Sequence, residues 1–482
     1  MSLVVVSNRI TRGNANEPVT GGLAAALLPI VEQSGAIWVG SSGRVRDGVQ
    51  KEPFAEIEAL GTGALAMLDL PAAHYGGYYE GFANSALWPA LHSRADLIRV
   101  SQGDYLSYRE VNAFMARALM RFRKPDTVFW IQDYHFLALG AELRNLGVDQ
   151  PIGFFLHTPW APRDVIEGVP HHRDLVEAML AYDLIGFQTE DDCENFASYL
   201  SSTLDLVVED GVATSQHGTT RIGVFPIGID VEKFARQATR ALSHPDVSRL
   251  RRSLNGEKLA IGVDRLDYSK GLVNRIKAFE RMWTMHPSLA RTVSLLQIAT
   301  PSRGAIEAYG NLQSELARLV SDVNGLHGEV DWTPIRYLNK GFSQTVLAGL
   351  YRTAQVGVVT PLHDGMNLVA KEYVAAQNPA DPGVLVLSKF AGAANELDTA
   401  LQVNPHDIDG MARAIAIALS MPLLERRMRW EAMMVKLRRR SIQQWFSSFV
   451  STLQKARAER EAAGLGPVVR PSALWPLRSV IA

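Results

Sequence analysis

The chain has 482 residues, of which 47% are hydrophobic and 21% are charged, and its formal net charge is −1. This composition is typical of a globular protein and excludes a disordered or fibrous chain. The nearly neutral charge gives no reason to expect nucleic acid or an anionic membrane as a partner. Because one hydrophobic core rarely serves so long a chain, we expect two domains of about 200 residues each.

Cysteine usage and the N-terminus indicate where the protein acts. Cys193 is the single cysteine, so no intramolecular disulfide can form, which fits a reducing compartment. The N-terminal residues MSLVVVSNR lack the basic and long apolar regions of a signal peptide. No stretch approaches the ~20 apolar residues that a membrane span needs. The sequence therefore predicts a soluble, cytoplasmic protein.

Short apolar runs rich in Val, Ile and Phe recur along both halves of the chain. They are Leu3–Ser7, Ile37–Gly40, Val128–Gln132, Ile152–His157, Leu184–Gln188, Leu259–Val263, Leu295–Ala299, Val356–Thr360 and Val384–Ser388. Continuous apolar runs of this length are typical of parallel strands buried on both faces. The amphipathic segments between them predict two doubly wound, Rossmann-like α/β domains. Ligands bind at the carboxyl ends of such strands, so we expect an interdomain cleft there.

The boundaries of the domains follow from local signals. The segment Asp174–Tyr182 has helical spacing with Asp174 as a plausible N-cap. The break between the halves is expected after FPIGID, which gives domains at 1–235 and 236–440. An apolar i, i+3, i+4, i+7 pattern predicts a helix over 441–460 that returns to the N-terminal domain. Residues 461–482 show no period and are expected to form an irregular tail.

The first constellation with chemical character is SNRI followed by GGLAAAL, at Ser7–Ile10 and Gly21–Leu27. A strand ends at Asn-Arg, and a glycine pair then opens a helix. Glycine lets the backbone approach a ligand, and the free N–H groups of a helix N-terminus can bind an anion. A plain turn and helix start is the alternative, and it explains most such glycine pairs.

The second constellation is GVDRLDYSKGL, at Gly262–Leu272. Arg265 and Lys270 follow a strand and precede a helix, where two cations can neutralise a diphosphate. A planar guanidinium and a compact ammonium together suit two phosphates better than either alone. The alternative is a solvated charged loop in which these cations pair with Asp264 and Asp267.

The third constellation is TPLHDGMNLVAKEYVAAQNP, at Thr360–Pro379. A strand ends at Thr360, and a helix is expected to begin near Met366. Its first N–H groups could hold a phosphate or a sugar hydroxyl, and Glu372 could accept hydrogen bonds from ribose hydroxyls. Asp364 suits hydrogen bonding to a sugar, but it could instead be the N-cap of the helix. A second small-residue helix start follows downstream in FAGAANEL.

Two successive strands end in residues that can exchange hydrogen bonds or protons with a substrate. Asp133, in IQDYHF, could accept a hydrogen bond from an acceptor hydroxyl, and His157, in FFLHTPW, could bond a donor sugar. A metal site is the competing interpretation, and it would draw on His135, His157, His171 and His172. Their spacing matches no recognised metal motif, so we predict no metal.

Aromatic and basic residues elsewhere could bind a phosphorylated acceptor. Tyr79 and Trp88, in YYEGFANSALWPALH, could line a pocket in which the phenol bonds a phosphate. Arg303, in TPSRG, follows another strand and could clamp that phosphate together with Arg9. Core packing is the commoner role for such aromatics and is the alternative for Tyr79 and Trp88.

From about Leu3 to Lys455 the chain resembles the trehalose-6-phosphate synthases, retaining glycosyltransferases of the B-type fold. The resemblance is carried by SNR, GGL, NxxLWPxxH, DYH, YDLIGFQTE, DRLDYSKGL, SRG, DGMNLVAKEYVAAQ and FAGAANEL. It implies transfer of glucose from a nucleotide sugar, with UDP-glucose favoured and GDP- and ADP-glucose left open, to glucose 6-phosphate. The products would be α,α-trehalose 6-phosphate and a nucleoside diphosphate, with retention and without a metal or other cofactor. It also implies a homo-oligomer, a dimer or a tetramer.

The resemblance also implies a role for individual residues. The 1–235 domain would bind the acceptor and the 236–440 domain the nucleotide sugar. Donor binding would fall to Gly22, Arg265, Lys270, Phe342 (through its backbone), Asp364, Leu368, Val369 and Glu372. Acceptor binding would fall to Arg9, Tyr79, Trp88, Asp133 and Arg303. The groups around the reacting atoms would be Asp133, His157, Arg265, Lys270 and Asp364, and the selectivity residues Trp88 and Thr158.

Three residues depart from the pattern of the family. His363 stands where many members have Arg, Thr158 where they have Ile, and Gln132 where His is frequent. These departures affect the expected preference for the nucleotide base of the donor and the expected selectivity for the acceptor, rather than the reaction class. The alternatives are a synthase that uses another acceptor such as glycerol 3-phosphate, a pseudo-glycosyltransferase that forms a carbon–nitrogen bond, and a catalytically silent sugar-phosphate sensor.

Overall fold

The structure is a computed structural model that describes residues 2–10, 22–48, 55–215, 218–304, 306–462 and 464. Its described residues fall into two compact units. The first unit contains residues 2–10, 23–226 and 445–462, and the second contains residues 227–444. The predicted boundary after residue 235 is wrong, because that position lies inside a continuous helix and the chain leaves the first unit after Pro226.

The first unit is built on a mixed sheet with a parallel centre. In chain order its strands are β1 (Ser2–Arg9), β2 (Ile37–Arg46), β3 (Ala55–Leu60), β4 (Gly63–Pro71), β5 (Thr127–Gln132), β6 (Ile152–Phe155), β7 (Leu184–Phe187), β8 (Val207–Glu209), β9 (Val212–Ser215) and β10 (Gly218–Val224). Their spatial order is β3-β4-β2-β1-β5-β6-β7-β10-β9-β8. The pairs from β4 to β10 are parallel, and both edges of the sheet are antiparallel. Every residue of β5, β6 and β7 is buried, as expected for strands covered on both faces.

The helices that accompany this sheet are mostly short. They are α1 (Gly22–Ser34), α2 (Ala72–Tyr75), α3 (Trp88–Leu91), α4 (Gln102–Leu119), α5 (Leu139–Asn145), α6 (Arg163–Glu167), α7 (His172–Met179) and α8 (Glu190–Thr203). A π-helical stretch, Gly76–Leu87, joins α2 to α3. The N-cap of α7 is His171, which has a φ of +63°, so the prediction that Asp174 caps this helix is wrong. Asp174 instead lies in the first turn, where a carboxylate also favours the helix dipole.

The second unit is a fully parallel α/β domain. Its strands are β11 (Lys258–Arg265), β12 (Val293–Thr300), β13 (Ile335–Leu338), β14 (Val356–Val359), β15 (Val384–Ser388) and β16 (Leu401–Val403), in the order β13-β12-β11-β14-β15-β16. Its helices are α9 (Val231–Ala241), α10 (Pro245–Ser253), α11 (Leu272–Met285), α12 (Glu307–His327), α13 (Gln344–Thr353), α14 (Leu368–Ala376), α15 (Ile408–Ser420) and α16 (Leu423–Arg439). The order reverses at β11, and the strands end there in the residues that carry the predicted chemistry.

The last helix, α17 (Ile442–Ala462), belongs to the first unit from Trp445 onward. The ring centroids of Trp445 and Phe449 lie 4.8 and 5.2 Å from that of Trp130 on β5. At its far end, Arg460 bonds the buried Asp183, which also accepts a hydrogen bond from Arg144 over 2.9 Å. The predicted irregular tail falls almost entirely outside the described residues.

Each of the nine apolar runs is a strand in a parallel pairing, so the prediction of two doubly wound α/β domains is confirmed. The interdomain cleft stays a prediction. Among the described residues, no helix combines the length and apolar character that crossing a membrane requires.

Candidate active site

The turn after β11 is shaped by one glycine. Tyr268–Lys270 forms a single 3-10 turn, and Gly271 then opens α11 with a φ of +64°. A Cβ atom at Gly271 would lie 2.3 Å from the carbonyl oxygen of Thr360, at the end of β14. Both the backbone angle and this close approach require glycine. The turn therefore holds Lys270 against the end of the neighbouring strand.

Lys270 and Asp364 meet at this point. Lys270 Nζ lies 2.5 Å from Asp364 Oδ2, and both side chains are about nine-tenths buried. The same oxygen accepts a hydrogen bond of 3.0 Å from Asn367 Nδ2. A cation and a carboxylate are thus held together beside the N-terminus of α14, a place suited to a phosphorylated sugar.

Asn367, rather than Asp364, is the N-cap of α14. Its φ is +60°, and its Oδ1 accepts a hydrogen bond of 3.2 Å from the amide of Ala370. The helix therefore begins at Leu368, two residues later than predicted, and the alternative in which Asp364 caps it is wrong. Leu368 and Val369 are its first two residues. Their amides have no intrahelical partner, because the first N–H groups of an α-helix have no helical carbonyl one turn earlier.

The FAGAANEL segment supports Asp364 and α14 from the other side. The amide of Asp364 donates to Phe390 O over 3.1 Å, and the amide of Gly392 donates to Asp364 O over 2.8 Å. Within α14, the buried Lys371 donates to Glu396 Oε1 and to the carbonyl of Ile227, each over 2.6 Å. These bonds fix the start of α14 to two separate stretches of chain.

Arg275 is a positioning residue that the sequence-based predictions do not include. Its guanidinium is completely buried and donates to Asp264 Oδ2 over 2.5 Å and to Thr360 Oγ1 over 3.1 Å. It also donates to the carbonyl of Lys270 over 3.3 Å. One side chain therefore ties the ends of β11 and β14 to the backbone of Lys270. Its place in the first turn of α11, soon after a strand that ends in Asp264 and Arg265, is the signal that could have revealed it.

The second unit contains a further charged cluster around Asp267. Arg303 Nη1 lies 3.1 Å from Asp267 Oδ2, and Arg265 Nη2 lies 3.8 Å from the same oxygen. The charged-loop alternative is therefore right only about the pairing of Arg265 with Asp267, because the Asp267 side chain is completely buried rather than solvated. Asp264 forms its ion pair with Arg275. The Arg265 side chain is 38% exposed, which leaves it accessible to a ligand.

Glu372 lies one turn into α14. Burial raises the pKa of its carboxyl to about 7, and a hydrogen bond with the Gln344 side chain opposes that rise. Gln344 is the first residue of α13, and Phe342 precedes it by two positions. Lys340 Nζ lies 5.1 Å from the centroid of the Phe342 ring. The loop before α13 and the first turns of α14 thus meet at Glu372.

The first unit brings Arg9 close to a stack of aromatic rings. The rings of Tyr75 and Tyr79 stack at 5.5 Å, and Tyr79 stacks in turn on His135 at 5.9 Å. Burial raises the pKa of Tyr75, while the nearby charge of Arg9 lowers it. A Cβ atom at Gly43, where φ is +85°, would come within 3.0 Å of the Arg9 guanidinium, so glycine leaves room for it.

Trp88 is almost fully buried in the first unit. Its ring lies 4.0 Å from that of His92 and 5.5 Å from that of Tyr134, measured between centroids. The core-packing alternative is therefore part of what Trp88 does. Its role in acceptor selectivity stays a prediction.

Asp133 and His157 lie together at the ends of β5 and β6. Asp133 has a φ of +75° and a ψ of 165°, a strained conformation for a residue with a Cβ atom. Its Oδ1 accepts a hydrogen bond of 3.2 Å from the amide of His157. Strain held in place at a strand end is typical of functional sites.

The His157 ring is buried between two amide side chains. Its Nε2 lies 2.9 Å from Gln132 Oε1 and its Nδ1 lies 3.3 Å from Gln188 Nε2. An Nε2–H tautomer satisfies both bonds. Burial lowers the pKa of the imidazole to about 3, so the ring is neutral at physiological pH. Gln132, a departure from the family pattern, is thus a direct partner of His157.

The loop that follows His157 is held by α8. The Thr158 hydroxyl is buried and, within the described ranges, has no hydrogen-bond partner. Two positions later, the amide of Trp160 donates to Asp192 Oδ1 over 2.8 Å, and its carbonyl accepts from Asn195 Nδ2 over 3.1 Å. Asp192 and Asn195 are positioning residues that the sequence reasoning missed.

The sequence-predicted residues divide between the two units. Arg9, Tyr79, Trp88, Asp133, His157 and Thr158 lie in the first unit, and Arg265, Lys270, Arg303, Phe342, Asp364, Leu368, Val369 and Glu372 lie in the second. Gly22 is the first residue of α1. In the part of the chain that the structure describes, no group of three or more His, Cys, Asp or Glu side chains is arranged to hold a metal ion.

Comparison with known proteins decides the family. The model of glycosyltransferase family 20 matches residues 3–455. The chain belongs to glycosyltransferase family 20. It is 46% identical to the trehalose-6-phosphate synthase of Sinorhizobium fredii, and the alignment covers 94% of this chain and 98% of that protein. The resemblance predicted from the motifs is therefore confirmed.

Two solved structures of family 20 relatives carry ligands. The UDP-forming α,α-trehalose-phosphate synthase of Burkholderia xenovorans, in complex with glucose-6-phosphate, is 44% identical over 94% of this chain and 100% of that chain, with a TM-score of 0.91. A structure from E. coli named as trehalose-6-phosphate and bound with UDP-2-fluoro glucose is 40% identical over 94% of this chain and 99% of that chain, with a TM-score of 0.87.

Proposed function

We propose that this chain transfers glucose from UDP-glucose to glucose 6-phosphate, forming α,α-trehalose 6-phosphate and UDP. The observation that carries the proposal is the contact between Lys270 and Asp364 at the start of α14. At this contact, the Lys270 ammonium group is available for a diphosphate, and the adjacent Asp364 carboxylate is available for the hydroxyls of a sugar. The ligands named for the two relatives, glucose-6-phosphate and a UDP-sugar analogue, are the substrate classes that this pairing suits.

On the donor side, Arg265 and Lys270 stabilise the negative charge that grows on the leaving diphosphate. Fixed cations aimed at a developing charge are usually the largest single contribution to catalysis. Asp364 accepts hydrogen bonds from the transferred glucose, and Glu372 accepts them from the ribose. Gly22, Leu368, Val369 and the backbone of Phe342 bind the remainder of the donor.

On the acceptor side, Arg9, Tyr79 and Arg303 bind the phosphate of glucose 6-phosphate. Asp133 accepts a hydrogen bond from an acceptor hydroxyl, and Trp88 shapes the pocket. The neutral His157 ring bonds the transferred glucose by exchanging one of its amide partners for a sugar hydroxyl.

The reaction proceeds with retention by attack on the face from which the diphosphate leaves. The acceptor oxygen forms a bond to the anomeric carbon as the bond from that carbon to the diphosphate oxygen breaks. The acceptor's proton passes to an oxygen of the leaving phosphate. This route needs no pair of carboxylates of the kind that glycosidases use.

The test is an activity matrix of UDP-, GDP- and ADP-glucose against glucose 6-phosphate and glycerol 3-phosphate. We expect product from UDP-glucose and glucose 6-phosphate, with the mass of trehalose 6-phosphate and α-anomeric protons in its NMR spectrum. Product only with glycerol 3-phosphate would identify a different synthase. No product in any pairing, together with measurable binding of a sugar phosphate, would identify a sensor instead.

We also propose that the protein acts in the cytoplasm as a homo-oligomer. A chain with the single cysteine Cys193 can form no intramolecular disulfide, which suits a reducing compartment. Light scattering coupled to size-exclusion chromatography would give the oligomeric state, and a monomeric mass over the working concentration range would contradict this part of the proposal.

A further inference from the structure

Asp267 lies between two arginines that the proposed reaction assigns to different substrates. Arg303, proposed for the acceptor phosphate, places Nη1 3.1 Å from Asp267 Oδ2. Arg265, proposed for the donor diphosphate, places Nη2 3.8 Å from the same oxygen. The Asp267 side chain is completely buried, so water screens these interactions far less than it screens a surface ion pair.

The orientation of this carboxylate is fixed by two further groups. Its Oδ1 accepts a hydrogen bond of 3.0 Å from the amide of Ser269, in the turn that ends at Lys270. The Tyr309 hydroxyl accepts from Arg303 Nη1 over 2.6 Å and lies 3.4 Å from Asp267 Oδ2. Asp267 is therefore tied both to the donor-site turn and to the guanidinium of Arg303.

We propose that Asp267 is a positioning residue that orients both arginines and so links the acceptor-phosphate site to the donor-diphosphate site. Two guanidinium groups that face the same oxygen repel each other, and one buried carboxylate between them offsets that repulsion. Each guanidinium has five N–H donors, so the contact with Asp267 leaves others for a substrate phosphate. This inference rests on the proposed function, because it needs both arginines to bind phosphates.

The test uses the Asp267→Asn variant. Asparagine keeps an Oδ1 acceptor for the Ser269 amide and removes the charge that the arginines share. We expect the KM for glucose 6-phosphate to rise about tenfold, as for the loss of a charge-assisted hydrogen bond. We expect the KM for UDP-glucose to rise about threefold, as for a looser ion pair. Because Arg265 is also assigned to the leaving diphosphate, kcat should fall as well, but by less than when Arg265 itself is removed.

Three other variants act as controls. Tyr309→Phe removes a direct partner of Arg303 and a weaker contact of 3.4 Å with Asp267 Oδ2, so it should raise the KM for glucose 6-phosphate more than that for UDP-glucose. Asp331→Asn makes the same chemical change in an exposed ion pair with Arg291 and should change neither value. Asp267→Glu keeps the charge but displaces it, and it should raise both KM values, so it carries the test if the Asn variant does not fold.

Direct binding separates this inference from the proposed function. Titration calorimetry with UDP and with glucose 6-phosphate is run on the wild type and on both Asp267 variants. A wild type that binds neither ligand would contradict the proposed function. Suppose instead that the wild type binds both ligands, and that the folded Asp267 variants bind both as tightly or more tightly, or bind only one of them more weakly. That result would overturn the role of Asp267 and leave the proposed function standing.

Discussion

Lys270 Nζ lies 2.5 Å from Asp364 Oδ2, although the two residues are 94 positions apart in the chain. The contact depends on Gly271, which allows the turn after β11 to approach the end of β14, and on Asn367, which shares the Asp364 oxygen. The pair joins the predicted diphosphate site to the predicted sugar site.

Replacing Arg265 or Lys270, the two cations proposed for the donor site, should reduce turnover sharply, and Lys270→Ala should also lower stability because it removes the cation that the buried Asp364 carboxylate contacts. We expect Arg265→Ala and Lys270→Ala each to lower kcat by about 10²–10³, the range found when one charge-stabilising group is removed. Circular dichroism and thermal unfolding should show that both variants stay folded. Steady-state kinetics with UDP-glucose and glucose 6-phosphate measures the effect, and near wild-type turnover in both variants would refute the assigned roles.

The buried His157 ring should make stability depend on pH. Its pKa falls from an unfolded value of 6.5 to about 3, so the unfolded chain binds the proton first as pH decreases. Stability is therefore full above pH 6.5 and is lost progressively as pH falls towards 3. Between pH 7.5 and pH 5 this one group should cost about 2 kcal/mol of unfolding free energy.

Urea denaturation of the wild type and of His157→Gln at both pH values isolates that contribution. The glutamine variant is less stable at pH 7.5 because it lacks the ring, but it has nothing to protonate. The stability difference between the two proteins should shrink by about 2 kcal/mol at pH 5. A constant difference would mean that the ring does not stay neutral in the folded protein.

Glu372 should make donor binding depend on pH near neutrality. Burial raises its pKa to about 7, so the carboxyl loses its charge, and one acceptor oxygen, as pH falls from 8 to 6. If the carboxylate accepts hydrogen bonds from ribose hydroxyls, the KM for UDP-glucose should rise by about tenfold over that interval. Glu372→Gln should have a high KM that does not vary with pH, and a variant that retained the wild-type profile would exclude Glu372 as its source.

For stability and activity, the close approach of Gly271 to the carbonyl of Thr360 should be more important than the positive φ angle of Gly271. Gly271→Ala combines a positive φ with a Cβ atom 2.3 Å from a backbone carbonyl, whereas Gly256→Ala has a φ of +90° with nothing within 4 Å. We expect about 1 kcal/mol of destabilisation at Gly256 and about 3 kcal/mol or more at Gly271, with loss of activity only at Gly271. Equal effects in the two variants would show that the angle alone decides.

The sequence alone determined the fold class, and it predicted which strand ends carry the site residues. Continuous apolar runs such as Val128–Gln132 are local signals of a strand buried on both faces, and every one of them is a strand in the structure. The strands that were missed, β3, β4, β8, β9, β10, β13 and β16, lie at or near sheet edges or are short. These strands are less completely buried than the central ones, as in β10 and β13, so they lack the uninterrupted apolar run that marks a central strand.

Only the tertiary structure decided which polar groups are partners. Asp264 and Asp267 have the same charge and stand three positions apart, yet one pairs with Arg275 and the other with Arg303. The N-caps at His171 and Asn367 likewise depend on positive φ angles that no local rule assigned to them. Apolar burial follows a short-range pattern in sequence, whereas a buried charge takes whichever partner the distant strand ends bring within hydrogen-bonding reach.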